Sequence, residues 1–257
     1  MANIRPLALV TGASAGIGET FARRLARDGY DLILVARRRD RLESLAAELG
    51  GAEILVADLT DTKELRLVEE RIASADLDLL VNNAGIGIPG IFFEAPIDSI
   101  DRMNRLHVVV TARLAHAALK RMTARGRGAV INVSSVAGFG QSPGSVSYYA
   151  TKAWMNNFTK GLYLELKMLR SPVKVQALCP GFTISEFHDV AGEGREGVPA
   201  WIWMRPEDVV DASLRGLASG KLFVIPGAIY KVGARVLPWL GWLQVQLARR
   251  ESARKPV

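Results

Sequence analysis

Side chains suited to proton transfer follow a short apolar run in the second half of the chain. Ser135 comes just after the run Ala129–Val133, and Tyr148 and Lys152 lie four residues apart in the next helix-period stretch, so they share one helical face. A phenol with a pKa near 10 is a poor acid–base group at neutral pH, but a neighbouring ammonium lowers that pKa. We therefore expect Tyr148 to exchange a proton with a substrate oxygen that Ser135 holds.

A glycine-rich segment follows the first apolar run, Leu7–Val10, and precedes a helical pattern. It reads Thr11-Gly12-Ala13-Ser14-Ala15-Gly16-Ile17-Gly18. Glycines there let the chain turn tightly into a helix whose N-terminal N–H groups receive a pyrophosphate. The expected dinucleotide contacts are Gly12, Ser14, Gly16, Ile17 and Gly18. A glycine cluster that forms only a turn is the alternative, and the preceding strand argues against it.

Basic residues follow the second apolar run, where an acidic residue would favour NAD. These are Arg37, Arg38 and Arg39, after Leu32–Ala36. Arginines pair with a 2′-phosphate through charge-assisted bonds, so Arg37 and Arg38 predict NADP(H) as the cofactor. A solvated helix start is the alternative for these arginines.

Two further groups end apolar runs, where ligands of parallel sheets bind. Asp58, followed by Leu59, is placed to accept from an adenine amino group. Asn82-Asn83-Ala84-Gly85 brings small residues to the cofactor ribose, with Asn83, Ala84 and Gly85 as the expected contacts.

Short apolar runs alternate with helix-period stretches along most of the chain, which indicates repeated βαβ units. The expected strands are Leu7–Val10, Leu32–Ala36, Glu53–Val56, Leu79–Val81, Ala129–Val133, Lys174–Leu178 and Leu222–Ile225. The expected helices are Gly18–Asp28, Arg39–Leu49, Asp61–Ser74, Ile97–Thr123 and Val146–Leu169. The pattern predicts an α/β fold in one domain, residues 1–257, with a Rossmann-like doubly wound sheet of about seven parallel strands and helices on both faces.

The two longest predicted helices, 97–123 and 146–169, are apolar over much of their surface. Apolar faces this wide are expected to pack against another surface in addition to the sheet. We expect a homodimer or homotetramer that packs through these helices.

The glycine segment, Asn82–Gly85, Ser135, Tyr148 and Lys152, with 13 residues from the serine to the tyrosine, together resemble the classical short-chain dehydrogenase/reductase family. The resemblance covers about residues 5–185. It implies that Tyr148 is the acid/base, that Ser135 orients the carbonyl, and that Lys152 lowers the tyrosine pKa and binds the nicotinamide ribose. It also implies that Pro180 and Gly181 close over the nicotinamide, with Thr183 and Ser185 close by. The implied activity is NADP(H)-dependent hydride transfer between the nicotinamide and a carbonyl or secondary alcohol.

The chain departs from the family pattern at His107, where the family usually carries an asparagine that anchors a proton-relay water. An imidazole can hold a water or pass a proton, so we include His107 among the catalytic candidates. A histidine that is merely satisfied at a helix interface is the alternative, and Asn104 is a less suitable substitute. The other departure is Ser185, where the family often has a threonine that bonds the carboxamide of the nicotinamide. The serine keeps a hydroxyl at that position.

Two segments break the regular alternation. The insertion at 181–205 carries Phe187, Trp201, Trp203 and Met204, which could form the wall of an apolar pocket for a lipophilic ketone or aldehyde. Aromatic residues that only anchor the loop are the alternative. The tail at 227–257 has an amphipathic pattern too short to span a bilayer. It forms either an interfacial helix at a membrane surface or a helix that covers the pocket or packs on another subunit.

Composition narrows the remaining classes of function. The single cysteine, Cys179, and three scattered histidines exclude an internal disulfide and make a metal site unexpected, which fits a cytoplasmic protein. The net charge of +7 lies mostly in residues 221–257, with seven basic side chains against one acidic. No nucleic-acid motif accompanies them, so we expect no nucleic-acid partner. A cofactor-binding regulatory protein of the same fold, with turnover weakened by His107, is the alternative to an enzyme.

Overall fold

A computed structural model describes residues 5–187, 198–237 and 245. Seven strands form one sheet: β1 (Leu7–Thr11), β2 (Asp31–Ala36), β3 (Glu53–Val56), β4 (Leu77–Asn82), β5 (Ala129–Val133), β6 (Lys174–Leu178) and β7 (Phe223–Val224). All neighbouring strands are parallel, in the order β3-β2-β1-β4-β5-β6-β7. The predicted doubly wound sheet of seven parallel strands is therefore confirmed.

The strand order reverses at β1, which has β2 on one side and β4 on the other. The connections after β1 and β4 diverge to opposite sides of this point, and the divergence opens a crevice at the carboxyl ends of the strands. The fold therefore directs the residues after β1 and β4 into a common crevice, where ligands bind in sheets of this type.

Helices cover both faces of the sheet, as predicted. They are α1 (Gly16–Arg27), α2 (Arg39–Glu48), α3 (Thr62–Ser74), α4 (Ile97–Asn104), α5 (Thr111–Arg125), α6 (Val146–Met168) and α7 (Pro206–Ala218), with a further helix, α8, at 228–237. Side chains of α3, α5 and α6 form one buried cluster, which includes Leu9 of β1. Side chains of α1, α2 and α7 form the other, which includes Val10. Successive residues of one strand thus point into different cores, which explains the continuous apolar runs of the strands.

The predicted helix Ile97–Thr123 is not one regular helix. A π-helical turn, Arg105–Val110, lies between α4 and α5. Leu106, His107 and Val110 of this turn are buried. A π-turn adds a residue to one turn of the helix, so the sequence on its two sides can bury its apolar faces in registers that one α-helix would not allow.

The C-terminal third contains elements that the strand alternation did not predict. Helix α7 begins with Pro206 at its first turn and covers the sheet beside β6 and β7. The start of the predicted amphipathic tail is helical, as α8, whereas 238–244 and 246–257 lie outside the described residues, as do 188–197 of the 181–205 segment. Within the described part of the chain, none of the helices is long and apolar enough to cross a bilayer.

Candidate active site

The glycine segment forms a tight turn between β1 and α1. Gly12 and Gly16 both have positive φ, at 66° and 55°, a conformation that L-residues with a side chain rarely adopt. The N-cap of α1 is Ala15, whose side chain cannot accept a hydrogen bond from the first turn. The N–H groups at this helix N-terminus are therefore available to an anion, and the helix dipole favours one there.

Asn83, expected to contact a ribose, supports the glycine turn. Its side-chain amide donates to the carbonyl oxygen of Thr11 at 2.9 Å, and the Thr11 hydroxyl accepts from the backbone N–H groups of Asn83 and Ala84. A Cβ atom at Gly18 would lie 2.3 Å from the Gly12 carbonyl oxygen. Gly18 therefore permits the close contact of α1 with the turn, and the cofactor contact expected of it from the sequence stays a prediction.

Tyr148 and Lys152 lie on the first turns of α6, one helical turn apart. Lys152 is 5% exposed, its Nζ donates to the carbonyl oxygen of Val133 at 2.9 Å, and it lies 5.7 Å from the centre of the Tyr148 ring. Burial lowers the pKa of Lys152 to about 8. An ammonium has three N–H donors, and the acceptor found for it among the described residues is Val133. Two donors remain for ribose hydroxyls.

Ser135 lies directly across from the Pro180–Gly181 segment. Its hydroxyl accepts from the N–H of Ala137 at 3.1 Å and points toward the carbonyl oxygen of Pro180 at 3.4 Å. That carbonyl also accepts from the N–H of Val136 at 3.0 Å. The serine is thus held at the end of β5 with a hydroxyl hydrogen in a long, weak contact that a substrate oxygen can replace.

His107 lies behind Tyr148, with ring centres 5.9 Å apart, and both of its ring nitrogens have partners. Nε2 accepts from the N–H of Ile86 at 3.1 Å, and Nδ1 lies 2.9 Å from the hydroxyl of Thr151. The Thr151 hydroxyl donates to the carbonyl oxygen of Tyr148 at 2.8 Å. Because the Ile86 N–H can only donate, this network assigns the neutral Nδ1–H tautomer to His107.

Burial, with the charge of Lys152, holds the pKa of His107 well below its usual value. The ring is fully buried. A proton relay through this ring would require one of its two hydrogen bonds to open.

The two arginines expected to bind a 2′-phosphate both line the crevice. Arg38 donates to the side-chain and backbone oxygens of Ser14 at 3.1 and 3.0 Å, and its Nη1 is 2.8 Å from a carboxylate oxygen of Glu186. The hydrogen bond from Arg38 lowers the pKa of Glu186. A phosphate at this place would therefore share Arg38 with Glu186 or displace that carboxylate.

Asp58 also has partners of its own. It accepts from the backbone N–H and the hydroxyl of Thr60, at 2.9 and 2.6 Å, and pairs with Arg102. Burial acts to raise the pKa of this carboxyl, but the Thr60 hydrogen bonds and the charges of Arg102 and Arg37 outweigh burial, so the pKa is lowered. A base that reaches Asp58 would meet an ionised carboxylate.

These groups meet in one cleft of about 760 Å³ at the carboxyl ends of the strands. The cleft is lined by the predicted residues Gly12, Ser14, Gly16, Ile17, Arg37, Arg38, Asp58, Leu59, Asn83, Ala84, Gly85, Ser135, Tyr148, Lys152, Pro180, Gly181, Thr183 and Ser185. Gly18 and His107 lie behind the lining. The sequence analysis missed Thr151, Ile86 and Glu186, whose roles depend on contacts between residues distant in sequence.

A dinucleotide fits this cleft on three observations within the described residues. The N-terminus of α1 lacks a side-chain cap, a Cβ at Gly16 would lie 2.9 Å from Cβ of Ser185, and the buried Lys152 ammonium has N–H donors to spare. The uncapped helix end and the unused ammonium donors each suit a bound anion or hydroxyl group, and the close approach of Ser185 to Gly16 keeps the turn compact beside them.

This fold and cleft define a class of protein, the Rossmann-type dinucleotide-binding proteins. A family model described as short chain dehydrogenase matches residues 6–196. The chain belongs to that family, so the resemblance predicted from the sequence is confirmed. Its relatives support an oxidoreductase of alcohols or carbonyl compounds that uses a nicotinamide cofactor.

Solved structures resemble the chain over nearly its whole length. A short-chain dehydrogenase from Sphingobium yanoikuyae in complex with NADPH is 38% identical, with a TM-score of 0.83, over 98% of this chain and 96% of that one. A bulky-bulky ketone specific alcohol dehydrogenase from Comamonas testosteroni is 34% identical, with a TM-score of 0.78, over 98% and 95%. A short-chain dehydrogenase/reductase from Burkholderia phymatum in complex with NAD is 22% identical, with a TM-score of 0.81, over 93% and 95%, and shares the fold.

Proposed function

We propose that this protein is an NADP(H)-dependent reductase of lipophilic ketones or aldehydes, also able to oxidise the corresponding alcohols, with Tyr148 as the acid/base. The observation that carries the proposal is the convergence of Ser135, Tyr148 and Lys152 in the same cleft as the glycine turn. When bound, the reduced nicotinamide supplies the hydride, and the chain's own side chains manage the substrate oxygen and its proton.

Ser135 donates its hydroxyl hydrogen to the substrate carbonyl oxygen and so orients the carbonyl in the cleft. Tyr148 gives its phenolic proton to the same oxygen as that oxygen becomes an alkoxide. Lys152 stabilises the resulting phenolate with its buried ammonium, which also donates to the ribose hydroxyls. In the direction of oxidation, the same phenolate takes the proton back from the alcohol.

The preference for NADP(H) rests on charge at the end of β2. Arg37 and Arg38 line the cleft there, and a 2′-phosphate would find two guanidinium groups. The relative from Sphingobium yanoikuyae binds NADPH, in accord with this proposal. Arg37→Glu should weaken NADPH binding at least tenfold and leave NADH binding less affected, measured by titration of each cofactor.

A matched control is Arg39→Glu, since Arg39 lies next in sequence and pairs with Glu43 on the outside of α2. The preference for NADPH should survive in that variant. Equal binding of NADH and NADPH by the unchanged protein would contradict the proposal.

The proposal of a lipophilic substrate is based on Phe182 and Phe187, two aromatic side chains that line the cleft. Phe187 lies 5.9 Å from the Tyr148 ring, and Phe182 lies 5.3 Å from Trp203, each measured between ring centres. The relative from Comamonas testosteroni is specific for bulky ketones, which fits such a wall. We expect bulky aryl ketones to support NADPH oxidation with higher kcat/KM than small aliphatic ketones. The reverse order would contradict this part of the proposal.

A further inference from the structure

Tyr230 of α8 fills a space that a glycine leaves open beside the catalytic serine. A Cβ atom at Gly181 would lie 2.0 to 2.4 Å from three atoms of the Tyr230 ring. Gly227 lies at the other edge of that ring, where an added Cβ atom would be 3.1 Å from Cδ2 of Tyr230. Gly181 is therefore required at this position because of Tyr230, independently of any cofactor contact.

The Tyr230 hydroxyl joins the two described arms of the 181–205 segment. It accepts from the N–H of Phe182 at 3.0 Å and donates to the carbonyl oxygen of Ile202 at 2.8 Å. The arms also pair directly, since the N–H of Met204 donates to the carbonyl of Phe182 and the N–H of Ile184 to that of Met204, both at 2.9 Å. One phenol thus bridges the beginning and the end of the segment.

The bridge at Phe182 lies two residues from a group in contact with Ser135. Pro180, whose carbonyl oxygen faces the Ser135 hydroxyl, precedes Gly181, and Phe182 lines the cleft. A shift of the Tyr230 hydroxyl would therefore move the backbone of Phe182, and with it the Phe182 side chain that lines the cleft.

Helix α8, which contains Tyr230, packs against the rest of the protein. Ala234 is buried, and a Cβ at Gly140 would lie 3.5 Å from the Leu237 side chain. The neighbouring Phe139 ring packs edge-on against Phe223 of β7, with centres 5.8 Å apart. Tyr230 consequently sits on a packed support, and burial raises the pKa of its phenol, which keeps the hydroxyl protonated at neutral pH.

We propose that Tyr230 is a positioning residue that selects substrates by size, because it fixes the backbone of Phe182, which lines the cleft, against the arm that contains Ile202. This inference rests on the proposed function for the substrate class, but the bridging contact itself can be tested without turnover. It also gives the beginning of the C-terminal tail a place in the enzyme, as a support for the substrate pocket.

The first test compares Tyr230→Phe with Tyr163→Phe, a control on α6 whose ring stacks with Lys167. Tyr230→Phe keeps the ring and removes both hydrogen bonds. Amide hydrogen exchange at Phe182 and Met204 should accelerate about tenfold in Tyr230→Phe and stay unchanged in Tyr163→Phe. Unchanged exchange at Phe182 would overturn the bridge, whatever the enzyme does.

The second test is kinetic. The ratio of kcat/KM for a bulky aryl ketone to that for a small ketone should fall about tenfold in Tyr230→Phe, through KM of the bulky ketone, while the Kd of NADPH stays the same. An unchanged ratio would overturn the role in selecting substrates. If the unchanged protein oxidises NADPH with neither ketone, the proposed function fails, and the exchange experiment still decides the bridge.

A double-mutant cycle checks the ring contact. Gly181→Ala alone should strongly lower the free energy of unfolding, since its Cβ meets the ring, and Gly181→Ala combined with Tyr230→Ala should be more stable than additivity predicts. Gly233→Ala, whose added Cβ would have no atom of the described residues within 4 Å, is the control and should show no coupling. Additive effects of Gly181→Ala and Tyr230→Ala would contradict the packing that the inference requires.

Discussion

Lys152 carries a buried ammonium that has few partners in the site. It lies beside the buried thiol of Cys179, whose pKa burial raises to about 12, so the thiol stays neutral and offers no counter-charge at neutral pH. Burial therefore acts on the lysine nearly unopposed until ribose hydroxyls arrive. The positive charge that would stabilise a Tyr148 phenolate in the proposed mechanism therefore costs the free protein stability.

This cost predicts a pH dependence of stability without cofactor. Lys152 loses its proton at about pH 8 in the folded state, whereas the unfolded chain keeps it up to about 10.5. The unfolded state thus binds more protons between these values, and the free energy of unfolding rises with pH across that window, by about 3 kcal/mol from this group. Lys152→Met should lack this increment. Chemical denaturation of both proteins at pH values below and above the window measures it, and parallel curves would contradict it.

His107 acts, in our account, by holding the Ile86 backbone and Thr151 in place. His107→Ala would leave those two groups without their partner and open a cavity, which should lower the free energy of unfolding by about 2 to 4 kcal/mol. Because the ring is neutral with both nitrogens bonded, kcat should fall by the same factor at every pH. A wild-type to variant ratio of kcat that changes with a single protonation would instead support the proton relay expected from the sequence.

At the scale of elements, α1 and α3 differ at their N-termini in a way that separates stability from binding. Asp61 caps α3 by accepting from the N–H groups of Lys63 and Glu64, whereas α1 begins at Ala15 without such a cap. Without a side-chain cap, α1 lacks a stabilising interaction, and a bound pyrophosphate would offset that loss.

Ala15→Asp should therefore stabilise the free protein by about 1 kcal/mol and weaken NADPH binding, because the new carboxylate occupies and repels the phosphate site. Asp61→Ala is the matched control and should lower stability by about 1 kcal/mol with NADPH binding unchanged. Thermal unfolding and NADPH titration measure both effects. Undiminished NADPH affinity in Ala15→Asp would exclude the α1 N-terminus as the pyrophosphate site.

Elements with strong apolar periodicity were predictable from the sequence, and the others were not. The sequence predicts β5 at Ala129–Val133, and the structure has it there. Five consecutive buried residues are typical of a parallel strand that is covered on both faces. The π-turn at 105–110 escaped prediction because apolar spacing does not reveal an extra residue in one turn. Helix α7 escaped because its short amphipathic pattern follows a long insertion and lies where the alternation of strands breaks.

For the whole molecule, the assembly predicted to pack through residues 97–123 and 146–169 can be tested at exposed apolar side chains of α6. Leu164 and Met168 are 57% and 75% exposed. If α6 packs on a second copy, Leu164→Glu should shift the protein toward monomers in light scattering. Leu67→Glu on α3, where the side chain is 63% exposed, is the control and should leave the mass unchanged. Equal masses for all three proteins would contradict packing through α6.

The candidate site was predictable to the extent that sequence motifs follow strand ends. Ser135, Tyr148 and Lys152 meet because β5 and α6 are adjacent in the fold, and the family spacing already implied it. Glu186 and Tyr230 could not be found in this way, because their partners Arg38 and Phe182 lie far away in sequence and the contacts depend on how the chain returns over the cleft. The packing requirement at Gly18 was not predictable from the sequence either, because it depends on how α1 packs against the Gly12 turn.

A comparison of Tyr148→Phe with Tyr149→Phe tests whether Tyr148 is the acid/base for NADPH-dependent reduction of a lipophilic ketone. Both tyrosines line the cleft and differ by one position on α6. We expect Tyr148→Phe to lower kcat for NADPH oxidation with a bulky aryl ketone by about 10² to 10⁴-fold, with the Kd of NADPH unchanged, and Tyr149→Phe to retain most of kcat. Activity that survives in Tyr148→Phe would contradict the account.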